Sequence, residues 1–239
     1  MLQINNIVKE FGSFAAVNGI NVNIKQGELY GFLGQNGAGK TTTIKMIAGI
    51  YAPTSGSISI NGIDISKNHV KAKLQIGYVP DQPYLYDKLT GREFLFFSGG
   101  IYNLDKINIQ NKIEELVDLL KIESWLDKRT EEYSQGMKQR ITIASALLHD
   151  PKLIVLDEPM VGLDPQSAVL VKNILKQKVS EGSSVFISTH SLSFAEEICS
   201  RIGIIKQGKM IYEDNREAIE TIKANLNQNF EEVFLELTK

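Results

Sequence analysis

The chain has 239 residues, 43% of them hydrophobic and 23% charged, with a formal net charge of −2. That balance excludes a disordered chain and leaves no global basic field, so no nucleic-acid partner is expected. The single cysteine, Cys199, excludes an internal disulfide framework, suits a reducing compartment and is expected to be a small buried residue.

The opening segment MLQINNIVKEFG lacks a basic stretch followed by a long apolar run, so it does not read as a signal peptide. No window reaches the roughly 18 consecutive apolar residues of a membrane span. The first elements read as strands. Val22 and Ile24 alternate with polar residues, and Gly27 turns the chain into 28–33, a short apolar run like a buried strand. Residues 41–48 carry helix formers with Ile44, Ile47 and Ala48 on one face, and Gly49 and Pro53 end the helix. Ile58 and Ile60 alternate with serines before Asn61-Gly62, a hairpin signal. From 93 to 148 the pattern is helical: Ile113, Leu116, Val117 and Leu120 share a face, Trp125 and Leu126 join that core, and a helix over 135–149 ends before Pro151.

Strand character then returns. Residues 153–156 and 184–188 are unbroken apolar runs of the kind found in central parallel strands, and the helical pattern of 165–179 between them makes a strand–helix–strand crossover. Residues 202–205 and 210–212 flank Gln207-Gly208, a second hairpin. From Asn229 onward Phe230, Val233, Phe234 and Leu237 fall at helical spacing, so the tail over 220–239 is expected to be an amphipathic helix docked on the body.

Three segments carry chemistry. Gly34-Gln35-Asn36-Gly37-Ala38-Gly39-Lys40-Thr41, followed by Thr42, fills the pattern G-x-x-x-x-G-K-[ST] between an expected strand and an expected helix. Glycines let the backbone curl its N–H groups around phosphates, and the helix behind aims its positive dipole end at the same place. Lys40 supplies a mobile charge for the outer phosphates, and the Thr41 hydroxyl is a hard oxygen ligand for Mg²⁺. Second, the apolar strand 153–156 runs into Asp157 and Glu158, at the strand edge where such sheets bind ligands. Asp157 would hold the ion, and Glu158, facing differently, would act on the attacking water. Third, Ser134 with Gln135 and Gly136 stands at the start of a helix striped by Met137, Ile141, Ala144 and Leu148. That is either a simple cap or a second anion site.

Together these segments resemble the ATP-binding cassette family, the ATPase subunits of ABC transporters, over most of the chain to about Lys209. The resemblance implies an α/β P-loop NTPase core with a mostly parallel sheet, an N-terminal antiparallel β subdomain and a helical signature subdomain at about 83–150. The cassette would cover 1–219. It further implies ATP and Mg²⁺ as ligands, a second ATPase subunit, identical or a sister cassette, and a transmembrane permease at the inner face of the cell membrane. In the family the serine–glycine signature reaches the nucleotide of the opposite subunit, which assigns Ser134, Gln135 and Gly136. Here Tyr133 stands for leucine, Gln135 for the first glycine and Met137 for glutamine, departures similar to those of bacterial ABC-2-type exporter ATPases.

Phe11 matches the aromatic that stacks on adenine, Asp164 the D-loop that faces the partner, and His190 the switch histidine that contacts the γ-phosphate and orients the water. The family's Q-loop glutamine precedes a proline by two residues. Asp81 occupies that place here and Gln82 comes one later, so either could sense Mg²⁺ and the permease, Gln82 as a coupling residue and metal contact. The expected function is ATP hydrolysis driving transport, with a lean to export. The alternatives are a soluble ABC-type ATPase acting on ribosomes or DNA, and a non-hydrolysing binding module, against which Glu158 and His190 argue.

Overall fold

The computed structural model describes residues 1–226 and 230–238. In chain order the elements are β1 (Leu2–Phe11), β2 (Phe14–Ile24), β3 (Leu29–Leu33), α1 (Lys40–Ile47), β4 (Ser55–Ile60), β5 (Ile63–Asp64), α2 (His69–Lys73), β6 (Ile76–Val79), α3 (Gly91–Ile101) and α4 (Lys106–Leu120). They continue with α5 (Gln135–Leu147), β7 (Leu153–Asp157), α6 (Pro165–Ser180), β8 (Ser184–Thr189), α7 (Leu192–Ile198), β9 (Arg201–Lys206), β10 (Lys209–Asn215), α8 (Arg216–Leu226) and α9 (Phe230–Thr238). Short 3₁₀ turns at Glu123–Trp125 and Thr130–Glu132 bridge α4 to α5.

The strands form two sheets. One is antiparallel, in the order β2-β1-β4-β5. The other runs β10-β9-β3-β8-β7-β6 and is parallel except for the β9–β10 hairpin. Both expected hairpin turns form, with positive φ at both central residues: Asn61 and Gly62 in one, Gln207 and Gly208 in the other.

The unbroken apolar runs are explained by burial on both faces of the larger sheet. On β7, Ile154 and Leu156 pack into the core beneath α3–α6, while Leu153 and Val155 pack into a second core against the antiparallel sheet. On β3, Leu29 and Leu33 face the first core and Tyr30 and Phe32 the second. Each of these side chains, fully buried, contributes about 1.5–3 kcal/mol, enough to fix the strand edges on which the site is built.

The helical stretch expected over 93–148 is made of three helices, α3, α4 and α5. Asp105 caps α4 by accepting from Asn108 N–H (2.9 Å), and Lys121 ends it in left-handed backbone. Trp125 and Leu126 are buried in that core as expected. Pro151 lies beyond α5, which ends at Leu147. Cys199 is buried, and burial pushes its thiol up to about 12. The tail forms α9, with Phe230 and Phe234 buried in the main core. The side chains of Val233 and Leu237, and Asn229 itself, lie outside the described residues. The helix α8 runs across the 219/220 boundary expected between cassette and tail. Among the described residues no helix is long and apolar enough to cross a membrane.

Candidate active site

The glycine-rich segment joins the end of β3 to the start of α1. Gly39 has φ 110°, and a Cβ there would come within 2.6 Å of the Ala16 carbonyl oxygen, so only glycine fits. That close approach seats the β1–β2 hairpin beside the loop. The loop is fastened on its other side, where Gly208 N–H donates to the Ala38 carbonyl (2.8 Å). No side chain caps α1, which leaves its first N–H groups free for an anion. Gln35, Asn36 and Gly37 are exposed, while Gly34 and Ala38 are buried.

Lys40 is buried and its Nζ donates to the Gly34 carbonyl (2.7 Å) and the Gln35 carbonyl (3.3 Å). Its ammonium also lies 3.5 Å from Glu158 Oε1. The other carboxylate oxygen of Glu158, Oε2, accepts from His190 backbone N–H (3.3 Å) and lies 2.9 Å from His190 Nδ1. Glu158 reaches both because its backbone turns left-handed at φ 48° just beyond β7, which aims its side chain away from the line of Asp157. The His190 side chain is 61% exposed at the end of β8.

Asp157 is fully buried. Burial raises its carboxyl above the usual range, opposed by hydrogen bonds from Ser188 and Thr41, and the Asp81 charge adds to the rise. Its Oδ2 is buried without a hydrogen-bond partner. An orphaned buried carboxylate oxygen beside a threonine hydroxyl fits a small hard cation. No group of three or more His, Cys, Asp or Glu that could hold a metal occurs among the described residues, so an ion here would complete its shell with phosphate and water oxygens.

The structure therefore brings Lys40, Thr41, Asp157, Glu158 and His190 together, with Ser188 as a partner the sequence reading did not name. Other expected residues stand apart from this centre. Phe11 is half exposed at the end of β1, edge-on to Tyr51 at 5.6 Å. Ser134 caps α5 by accepting from Met137 N–H (3.3 Å), and Ser134 and Gln135 are exposed. Asp164 caps α6, its oxygens accepting from Ser167 N–H (2.9 Å) and Oγ–H (2.6 Å), which holds its carboxyl low. Asp81 and Gln82 are both exposed, and the Asp81 charge adds to the rise at Asp157. Beyond Gln82 an open groove is lined by Pro83, Tyr84, Tyr86, Phe97 and Lys138.

Tyr133, where the signature departs from leucine, has a structural explanation. Its buried hydroxyl accepts from Gly91 N–H (3.1 Å) and lies 3.1 Å from the carbonyls of Trp125 and Leu126, tying the start of α3 to the chain before α5.

A phosphate cradle that opens a helix after β3, with an acid at the end of β7, one strand beyond the adjacent β8 in the same parallel sheet, defines a P-loop nucleoside triphosphatase. The sequence model of the ABC transporter family matches residues 17–161, and the chain belongs to that family as an ATP-binding, ATP-hydrolysing subunit. The linearmycin resistance ATP-binding protein LnrL of Bacillus subtilis (strain 168) is 42% identical over 211 residues, covering 88% of this chain and 68% of the relative. The bacitracin transport ATP-binding protein BcrA of Bacillus licheniformis is 40% identical over 214 residues, covering 89% and 69%. Among solved structures, an ATP-binding subunit of an ABC transporter superposes with a TM-score of 0.93 at 29% identity over 100% of both chains. A dimeric cassette in a post-hydrolysis state bound to ADP and Pi gives 0.83 at 25% identity, covering 90% of this chain and 99% of that one.

Proposed function

We propose that this chain works as one of two cassettes that close on two ATP molecules and drive export through a separate transmembrane permease at the inner face of the cell membrane. The observation that carries the reading is the exposure of Ser134 and Gln135 at the helix start, with Gly136 half-buried behind them. They open a helix whose N–H groups can bind anion, yet no described hydrogen bond or ion pair joins them to Lys40 or Glu158 of the same chain. A phosphate for them has to come from another copy or a sister cassette.

In this reading the segment Gly34–Thr42 wraps the phosphates, Lys40 leaves Glu158 for the outer phosphates, and Phe11 stacks on the base. Thr41 and Asp157, with Asp81 or Gln82, would hold Mg²⁺, which when bound supplies charge neutralisation on the phosphate oxygens. Glu158, freed of Lys40, accepts a proton from water as its oxygen attacks the terminal phosphorus, and the bond to the ADP oxygen breaks. His190 holds Glu158 and the γ-phosphate in register. Ser134, Gln135 and Gly136 of the opposite subunit stabilise the transferring group. Asp164 steadies the turn that faces that subunit, and the groove beyond Gln82, within the helical subdomain, receives the permease. Export is favoured because relatives are named for linearmycin resistance, bacitracin transport and Nod factor export.

The test is affinity purification of the chain from membranes, followed by reconstitution with the membrane protein that accompanies it. ATP-dependent movement of a substrate out of the nucleotide-containing compartment is the expected result. Co-sedimentation with ribosomes in the absence of any membrane partner would replace this reading with the soluble one.

A further inference from the structure

Gln135 occupies a position where most of the family has glycine, and its side chain has a place of its own in the fold. Gly162 lies in the turn after β7 with φ 78°, and a Cβ built there would come within 2.6 Å of Gln135 Cγ and 3.4 Å of its Cβ. The methylenes of Gln135 thus fill the space a side chain at 162 would need. Next to them, a Cβ at Gly136 would lie 3.6 Å from the Gly162 carbonyl oxygen and 3.8 Å from Leu163 Cδ2. The start of α5 and the turn at 158–164 therefore touch over consecutive residues. The far end of that turn is tied to the reaction centre: Val161 N–H donates to the Glu158 carbonyl (3.2 Å), and Glu158 N–H donates to the Ser188 carbonyl (3.2 Å). Asp164, at the near end, is fixed as the cap of α6.

We infer that Gln135 is a positioning residue that packs the signature segment onto the chain's own turn at 158–164, so that Ser134, reaching the neighbour's nucleotide, and Glu158, acting on its own, move as one body. The inference rests on the paired-cassette reading. Its consequence is coupling between the two ATP sites. Glycine at 135 would remove the methylenes and add backbone freedom at the first turn of α5, so occupancy of one site would be felt less at the other.

ATP titrations of the purified full-length chain, giving kcat, half-saturation and Hill coefficient, test this. Wild type is expected to be cooperative. Gln135→Gly should lower kcat by about three- to tenfold and bring the Hill coefficient towards 1. Gln135→Met, which keeps the methylene stem without the amide, should stay within about twofold of wild type. Gly162→Ala should lose about tenfold, and the double variant Gln135→Gly/Gly162→Ala should lose less than the product of the two singles, because the clashing Cγ is gone. Four results would each overturn the inference: a non-cooperative wild type, an unchanged Gln135→Gly, additive singles, or Gln135→Met falling as far as Gln135→Gly, which would make the amide a direct contact. Ser134→Ala separates the two levels. If it keeps full turnover, the paired reading itself fails. If it loses turnover while every Gln135 variant is flat, only the packing role fails.

Discussion

The reaction centre and the signature segment are built in opposite ways. At the sheet edge Lys40 and Asp157 are buried: Lys40 pairs with Glu158, and Asp157 accepts from Ser188 while its other oxygen has no partner. At the start of α5, Ser134 and Gln135 are exposed, and the serine's one hydrogen bond is spent on its own helix. A site meant to close on ligand within one chain would bury both halves. In the paired reading the exposed half takes its contacts from another subunit, which divides substitutions into those expected to disable a single chain and those expected to disable only a pair.

The largest contrast is expected from Glu158→Gln. It should retain nucleotide binding, lower turnover by about 10²–10³-fold and accumulate the ATP-bound dimer, read by steady-state phosphate release and by light scattering with ATP. Full turnover would remove Glu158 from the reaction. Lys40→Ala comes next, weakening ATP affinity by about 10–100-fold in equilibrium binding. Unchanged affinity would mean that the loop is not the phosphate cradle.

Smaller effects distinguish the supports of each half. Tyr133→Phe leaves Gly91 N–H without its buried partner and should cost about 1–2 kcal/mol in denaturant unfolding with little change in ATP affinity. Asp157→Asn should abolish turnover yet stabilise the nucleotide-free chain by about 1 kcal/mol near neutral pH. The sign follows from burial, which holds the Asp157 acid above its unfolded value. As pH rises, the unfolded chain gives up that proton first, so stability falls until pH passes the folded value. The gain from asparagine should therefore shrink in melts at about pH 4. An equal gain at both pH values would contradict the burial argument.

The sheet-edge half was legible in the sequence because its parts are contiguous: eight positions of the cradle in order, and two acids directly after an apolar run. Strands read poorly where their alternation is broken. Along β1 the pairing register shifts around Asn6, whose φ is 47°, so Leu2 and Ile4 fall out of step with Ile7 and the run does not look like a strand. The four-residue β6 carries Gly77 and gives too short a pattern to recognise. The helix α7, seven residues long, begins at Leu192 and is capped by Ser191 directly after His190, so its start lies against the motif and leaves little periodic pattern of its own. Ser188 was hidden for another reason: its bond to Asp157 joins neighbouring strands 31 residues apart in sequence, and no local spacing records such a pairing. Asp81 and Gln82 are adjacent polar residues that local spacing does not tell apart, and the fold leaves both at the surface.

The contact between Lys40 and Glu158 has one more consequence. The carboxylate lies 3.5 Å from the ammonium, so the lysine charge has a counter-charge within the chain itself. ATP then enters by exchanging one anionic neighbour of Lys40 for another, rather than by bringing a bare cation its first counter-charge. Because Glu158 stays in the chain, ATP approaches a lysine–glutamate pair of near-zero net charge rather than a lone cation, which weakens the screened long-range attraction. The ionic-strength dependence of ATP affinity should accordingly be shallower in the wild type than in Glu158→Gln, where the lysine lacks that counter-charge.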